Sequence, residues 1–466
     1  MVKVINKNTL LFCASAGLII MSANYLLYQS AILGTLGFLI YLAPVSYWLS
    51  VLIREQGKAG GLVFSTVFLL SVLIILNTII YYLYKITPVT GFGAATLILT
   101  IFFFGPKTKE FTLFKINQKI QIPKTLVLFL AGFFALEVAL RLWLLGARTE
   151  ALLSSPWQAL APIFFLTYMF ASGLLFYLSE QSLPGRLKIF LNIIHLLVTF
   201  AIAAIIYPLG FGFDAFVHRA TETWIFKYGA IFPKPPYYIG QYSLVVWLGH
   251  LTQIPLFYID VYLVPILSAL ALPTVLTYTL KRAFDIKTAY APLFIWAIPF
   301  IPFLSLHLTT PQNLALLISI LIIFYSFGYL KDNLSGLILF ALGVSALSTH
   351  PLVGAPIFIF TLSVIGLKKF TNKKILQAFI GSVSLLLISL SLPLMFIVNN
   401  LRAGLGLPFL VNPLTKINTF FDLFSRPYWY ADKSPIIFEL LYAWQALLAP
   451  MVIILAILGF VLFQKK

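Results

Sequence analysis

The sequence predicts an all-α polytopic membrane protein of about 14 transmembrane helices plus one juxtamembrane amphipathic helix. Three observations predict it. Of 466 residues, 61% are hydrophobic and 9% are charged, with a mean hydropathy of +1.01. A soluble domain is about 45–50% apolar. The apolar residues fall in runs of about 20, which suit membrane-spanning helices rather than barrel strands. Finally, 31 Lys and Arg stand against 13 Asp and Glu, a net charge of +18. In a soluble chain that balance would suggest nucleic acid. Here the basic residues sit in short loops between apolar runs, the pattern of cytoplasmic loops in a membrane protein. No nucleic-acid partner is expected.

The runs are 9–28, 31–53, 62–84, 89–105, 125–146, 157–179 and 187–209, then 257–280, 288–305, 310–329, 334–348, 352–367, 375–398 and 437–463. The first follows Lys3 and Lys7 and continues to about Tyr28, so it reads as an uncleaved span rather than a signal peptide. The stretch 237–256 is also apolar, but His250 and Pro255 interrupt it, and it reads as a short re-entrant or partly inserted helix. Charge supports that choice. With fourteen spans and both termini cytoplasmic, 21 Lys and Arg lie inside and 9 outside, with Arg141 inside a span. A fifteenth span would move Lys368, Lys369, Lys373 and Lys374 outward. The expected location is the cell membrane. Cys13 is the single cysteine, which excludes an internal disulfide and a cysteine-based metal cluster.

The chain is organised around Tyr207–Gln241, a polar stretch between two apolar ones. Read as a helix from Phe213 to Tyr228, it is amphipathic. Asp214, His218 and Glu222 recur every fourth residue and line one stripe. Phe213, Phe216, Val217, Ala220 and Trp224 form the opposite arc, as in a helix lying on a bilayer surface. Gly229 suits its C-terminal stop, and Pro233, Pro235 and Pro236 keep the next segment extended.

Each candidate group has a plain and a chemical reading. Asp214 follows the Gly210-Phe211-Gly212-Phe213 turn at a span's end, and with His218 it could accept a proton. Glu222 and Lys227 fit a solvated helix face equally well. His350, before Pro351, either caps a helix break or faces the Asp214 side. In His307-Leu308-Thr309-Thr310-Pro311-Gln312-Asn313, Thr309, Thr310 and Asn313 suit capping of the next helix, while His307 and Gln312 could reach a ligand. Glu137 and Arg141, four apart inside a span, read as a mutually neutralising pair or as an intramembrane site. The chain lacks HExxH, P-loop, GxSxG and dinucleotide-binding signatures.

The architecture and central motif resemble the GT-C superfamily of membrane glycosyltransferases, which includes oligosaccharyltransferases, protein mannosyltransferases and aminoarabinose transferases. The features that carry the resemblance are the span 187–209, the acid Asp214 opening an outward loop, and the surface helix after it. The segment Pro235-Pro236-Tyr237-Tyr238-Ile239-Gly240-Gln241-Tyr242 follows, and the Asp214-x3-His218 spacing adds to it. The resemblance covers residues 187–400, with the outward loop at 210–240. Residues 1–186 are then about six added N-terminal spans, and 401–466 a further outward loop and last helix.

The resemblance implies a sugar transferred from a polyprenyl-phosphate donor to an acceptor glycan, lipid or protein at the outer face. Asp214 would be the general base. His218, Arg219 and His350 would meet the leaving phosphate, with Glu222, His307 and Gln312 also near substrate. Tyr237, Tyr238 and Tyr242 would flank the sugar. Metal-dependent members carry acids where this chain has His307 and Gln312, so no metal or other cofactor is implied. The rival reading is a transporter or lipid flippase using Glu137, Arg141 and His350; a non-catalytic scaffold is a third.

Overall fold

The computed structural model describes residues 4–52, 59–106, 111–112, 123–151, 153, 156–235, 237–283, 306–331, 335–370 and 373–404. Within them the chain is built of helices, with one antiparallel pair of two-residue strands, Val4–Ile5 and Phe111–Thr112. The helices are α1 (Lys7–Ala23), α2 (Ala31–Leu52), α3 (Ala59–Leu83), α4 (Pro88–Phe104), α5 (Lys124–Gly146), α6 (Pro162–Glu180) and α7 (Gly185–Ile206). They continue with α8 (Phe213–Tyr228), α9 (Ile239–Thr252), α10 (Leu256–Ala283), α11 (Pro311–Lys331), α12 (Gly336–Thr349), α13 (Pro351–Lys369) and α14 (Lys374–Arg402).

Among the described residues, ten helices are long and apolar enough to cross a membrane, and α4 and α12 are shorter apolar helices. These twelve stand where twelve of the expected spans stand. The other two, 288–305 and 437–463, lie outside the described residues, as do Asp422, Arg426, Asp432 and Lys433.

The molecule packs around α9. All of its 14 residues are buried, against α2, α3, α4, α8, α10, α11 and α12. At 1.5 Å per residue it is about 21 Å long, short of a ~30 Å hydrocarbon core. The reading of 237–256 as a short helix is therefore compatible with its length, but His250 does not interrupt it. His250 lies in the last turn, stacked 4.2 Å from Phe226. The chain turns at left-handed Gln253 and passes Pro255 into α10. Trp247 anchors α9 by donating its indole N–H to the Gly91 carbonyl, 3.0 Å away. One apolar core joins α1–α4 to α9–α13, whereas α5 and α6 pack with α7 in separate clusters.

Three local devices place the site. Gly229 ends α8 in a left-handed conformation (φ 82°) that a side chain would strain. Pro265 breaks the hydrogen-bond ladder of α10, and the Val264 amide donates instead to Thr309 Oγ1 at 3.1 Å. That bond ties the turn before α11 to the kink. Thr309 thus serves α10 and not α11, whose first turn is capped by Thr310 Oγ1 accepting from the Asn313 amide at 3.3 Å. At the third, α12 and α13 meet in a one-residue break at His350, whose Nδ1 accepts the Val353 amide at 3.3 Å.

Candidate functional site

The amphipathic helix lies where the periodicity predicts, from Phe213 to Tyr228. Phe216, Val217, Ala220 and Trp224 are exposed on one arc, and the polar stripe turns toward α9 and α10. Asp214 occupies the first turn of α8 and is exposed. An anion there is favoured by the positive end of the helix dipole.

One turn on, His218 Nδ1 shares a 2.7 Å hydrogen bond with the Tyr242 hydroxyl. The Tyr238 ring meets His218 edge-on at 5.5 Å and stacks on His350 at 5.1 Å. Three elements distant in sequence therefore converge on Tyr238. Its backbone is left-handed (φ 70°), an uncommon state for a bulky residue and one that clusters at functional sites. Gly240 permits the approach. A Cβ there would lie 2.7 Å from the backbone nitrogen of Thr349, beside the α12–α13 break. Burial pushes the His218 imidazole below its usual pKa, opposed by the nearby Asp214 charge. Burial, reinforced by His218, pushes His350 down to about 4. At neutral pH both rings are neutral and serve as hydrogen-bonding groups rather than as cations.

A second cluster forms the floor of an open cleft between α7, α8, α10 and the turn 306–310. The cleft is narrow, with about 10 Å³ of space for water-sized molecules, and is lined by Arg219, Asp260, His307, Phe211 and Thr309, among others. Arg219 Nε donates to Asp260 Oδ2 at 2.9 Å, and its Nη1 donates to the Leu209 carbonyl at 3.1 Å. The guanidinium also lies 4.6 Å from the centre of the Phe257 ring. Gln241 Nε2 donates to Glu222 Oε1 at 3.0 Å. His307 is pushed down to about 4 by its enclosure.

Reading Glu222 as part of a solvated face is corrected here. It is wholly buried, because α8 leans its fourth-residue stripe against α9 and α10. Burial, then the neighbouring Asp260 charge, holds its carboxyl well above the usual carboxylate range. Tyr237 sits at the rim, exposed and edge-on to Tyr238 at 4.9 Å. Gln312 is exposed on the first turn of α11 and is not among the residues lining the cleft. Of the residues expected near substrate, the structure groups Asp214, His218, Tyr237, Tyr238, Tyr242 and His350 around one ring cluster. Arg219 and His307 line the cleft, and Glu222 lies buried behind it beside Asp260.

Sequence reasoning missed Asp260 and Gln241. Asp260 had a usable signal, since it is a carboxylate within an otherwise apolar run, and intramembrane acids are functional suspects by default. Gln241 lay inside the segment following α8 but had no partner visible in sequence. The Glu137–Arg141 pair forms as expected, with N–O 2.9 Å, and recruits His195, whose Nδ1 lies 2.6 Å from Glu137 Oε1. No group of three or more His, Cys, Asp or Glu suited to a metal occurs among the described residues. Compared with family models, curated proteins and solved structures, the chain has no match in any of the three.

Proposed function

We propose that this multi-pass membrane protein is a glycosyltransferase that moves a sugar from a polyprenyl-phosphate donor to an acceptor at the outer face, with Asp214 as general base. One observation carries the reading: an exposed carboxylate on α8 stands beside a ring cluster assembled from α8, α9 and the α12–α13 break. That is an exposed carboxylate next to a surface suited to a sugar, with the Arg219 guanidinium little more than one turn away.

In the reaction the acceptor hydroxyl loses its proton to Asp214 and its oxygen bonds to the anomeric carbon. The bond from that carbon to phosphate oxygen breaks, and the electron pair leaves with the lipid phosphate. The phosphate is already a good leaving group, so the protein has to orient the partners, accept the proton and offset the developing charge. Arg219 and the neutral N–H groups of His218 and His350 are the donors available for that charge.

Asp214→Asn keeps size and fold and should lower transfer by roughly 10²–10⁴-fold, the usual share of a general base. Near-normal transfer by that variant would remove the assignment. The transporter or flippase reading rests on Glu137, Arg141 and His350; inside the spans, Glu137 and Arg141 are joined by His195. Their polar atoms bond to one another and to neighbouring helices, so a carrier path there would first have to open a closed network.

A further inference from the structure

Among the described residues, two buried clusters hold paired acidic and basic groups, and they differ in how fully their atoms are partnered. In the Glu137 cluster, one carboxylate oxygen meets Arg141 Nη1 and the other meets His195 Nδ1. His195 Nε2 meets the Ser172 hydroxyl at 3.0 Å, and Arg141 Nη2 donates to the Ile194 carbonyl at 3.1 Å. That network is complete and serves to hold α5, α6 and α7 together.

The cluster on the cleft floor is incomplete. Glu222 and Asp260 are 0% and 1% exposed, and their carboxyl groups lie within hydrogen-bonding reach of each other. Among the described residues Arg219 is the cation beside them, and it bonds directly to Asp260 alone, so two ionised carboxylates would leave one negative charge uncompensated in a low-dielectric interior. Four polar atoms of the same group are buried and have no partner in the protein: Glu222 Oε2, Asp260 Oδ1, Gln241 Oε1 and Arg219 Nη2. Buried polar atoms are rarely left so, and each costs free energy when it is. One proton between the carboxyls corrects the charge and supplies a donor to two facing acceptors. A metal dication there would stand against the guanidinium that already occupies Asp260 Oδ2.

We infer that Glu222 and Asp260 share one bound proton, and that this acid–carboxylate pair fixes Arg219 on the cleft wall, where the 15% of its side chain that remains exposed meets an anionic phosphate-type group. Asp260 is then a positioning residue acting through Arg219. The titratable or charged groups facing the pair are Arg219 on α8, Tyr242 on α9 and His307 from the turn before α11, with His218 bonded to the far side of Tyr242. Glu222 is held as the neutral partner by its burial and by Asp260. The phosphate part of the inference rests on the glycosyltransferase reading for its biological meaning; the proton and the anion site do not depend on sugar transfer.

The experiment uses the full chain in lipid nanodiscs. Infrared difference spectra at neutral pH should contain the carbonyl band of a buried protonated carboxyl, shifted by deuterium oxide and lost in Glu222→Gln. Absence of that band in the unmodified protein overturns the shared proton. Binding of dodecyl phosphate is then measured against dodecanol and against inorganic phosphate. Glu222→Gln, which mimics the neutral acid, should retain affinity within about twofold, a change under 0.5 kcal/mol by RT ln 2. Asp260→Asn should lose on the order of tenfold or more, because Arg219 is no longer held, and Arg219→Gln should lose as much. Equal loss in Glu222→Gln and Asp260→Asn would mean that both carboxylates are ionised and would overturn the proposal. Unchanged binding in Arg219→Gln would overturn the anion site. If Asp260→Asn fails to fold, the spectrum and the Glu222 and Arg219 variants still decide. Dodecyl phosphate binding with normal Asp214→Asn transfer would leave the anion site standing while the glycosyltransferase reading fell.

Discussion

His350 and Glu222 are both buried and burial favours the neutral form of each, yet they tie stability to pH in opposite directions. His350 is pushed down to about 4, so the folded chain resists its protonation. Its contribution is complete above the ordinary histidine value of about 6.5 and is lost as pH falls toward 4. Full protonation costs up to about 3 kcal/mol. Glu222 is held protonated in the folded state, so its contribution is complete below the ordinary value of about 4.3 and is lost as pH rises through its raised value. Between about 4.3 and 6.5 the two effects oppose each other, so thermal unfolding in detergent should be nearly level there and fall only at higher pH. Glu222→Gln should uncover a stability that rises with pH across that window, and His350→Gln one that falls across it. If the two variants exchanged slopes, the sign of both burial arguments would be wrong.

At the scale of elements, the short helix α9 decides where the site forms. Its N-terminus must come against the α12–α13 break for Tyr238 to reach His350, and Gly240 makes room for that. In Gly240→Ala the new Cβ would lie 2.7 Å from the Thr349 backbone nitrogen and 2.7 Å from its hydroxyl. Backbone cannot give way as a side chain can, so the helix end must shift. The expected cost is about 1–3 kcal/mol of stability, with a larger proportional loss of transfer, because the Tyr238–His350 stack opens. Unfolding midpoints and activity measured on the same preparation check this. Unchanged activity would detach the ring cluster from function.

For the whole molecule, the basic loops predict cytoplasmic termini and a 210–240 loop on the outer side. A cysteine introduced at residue 230 in a Cys13-free background should react with an impermeant reagent added from outside, and a cysteine at residue 58 only after the membrane is opened. The reverse pattern would place the candidate site in the cytoplasm and exclude an outer-face donor.

Much of the architecture was legible because it is written in local pattern. The apolar runs, the period of α8, the stop at Gly229 and the break at His350-Pro351 each depend on residues close in sequence. Segment boundaries and the amphipathic arc follow from bilayer thickness and helical repeat, which need no knowledge of neighbours. The inward turn of Glu222 did not follow, because a polar stripe reads alike whether it meets water or buried partners. Asp260, 38 residues beyond Glu222, and Gln241, 19 beyond, became its partners only when α8, α9 and α10 packed together. The same packing brought His350 to Tyr238 and made α9 the centre of the bundle, since long-range contact between buried polar groups is decided by which helix faces meet. Sequence by itself determined the kind of protein, its helices and the exposed acid Asp214; tertiary structure alone decided which charges are buried, which are paired, and which are left short of a partner.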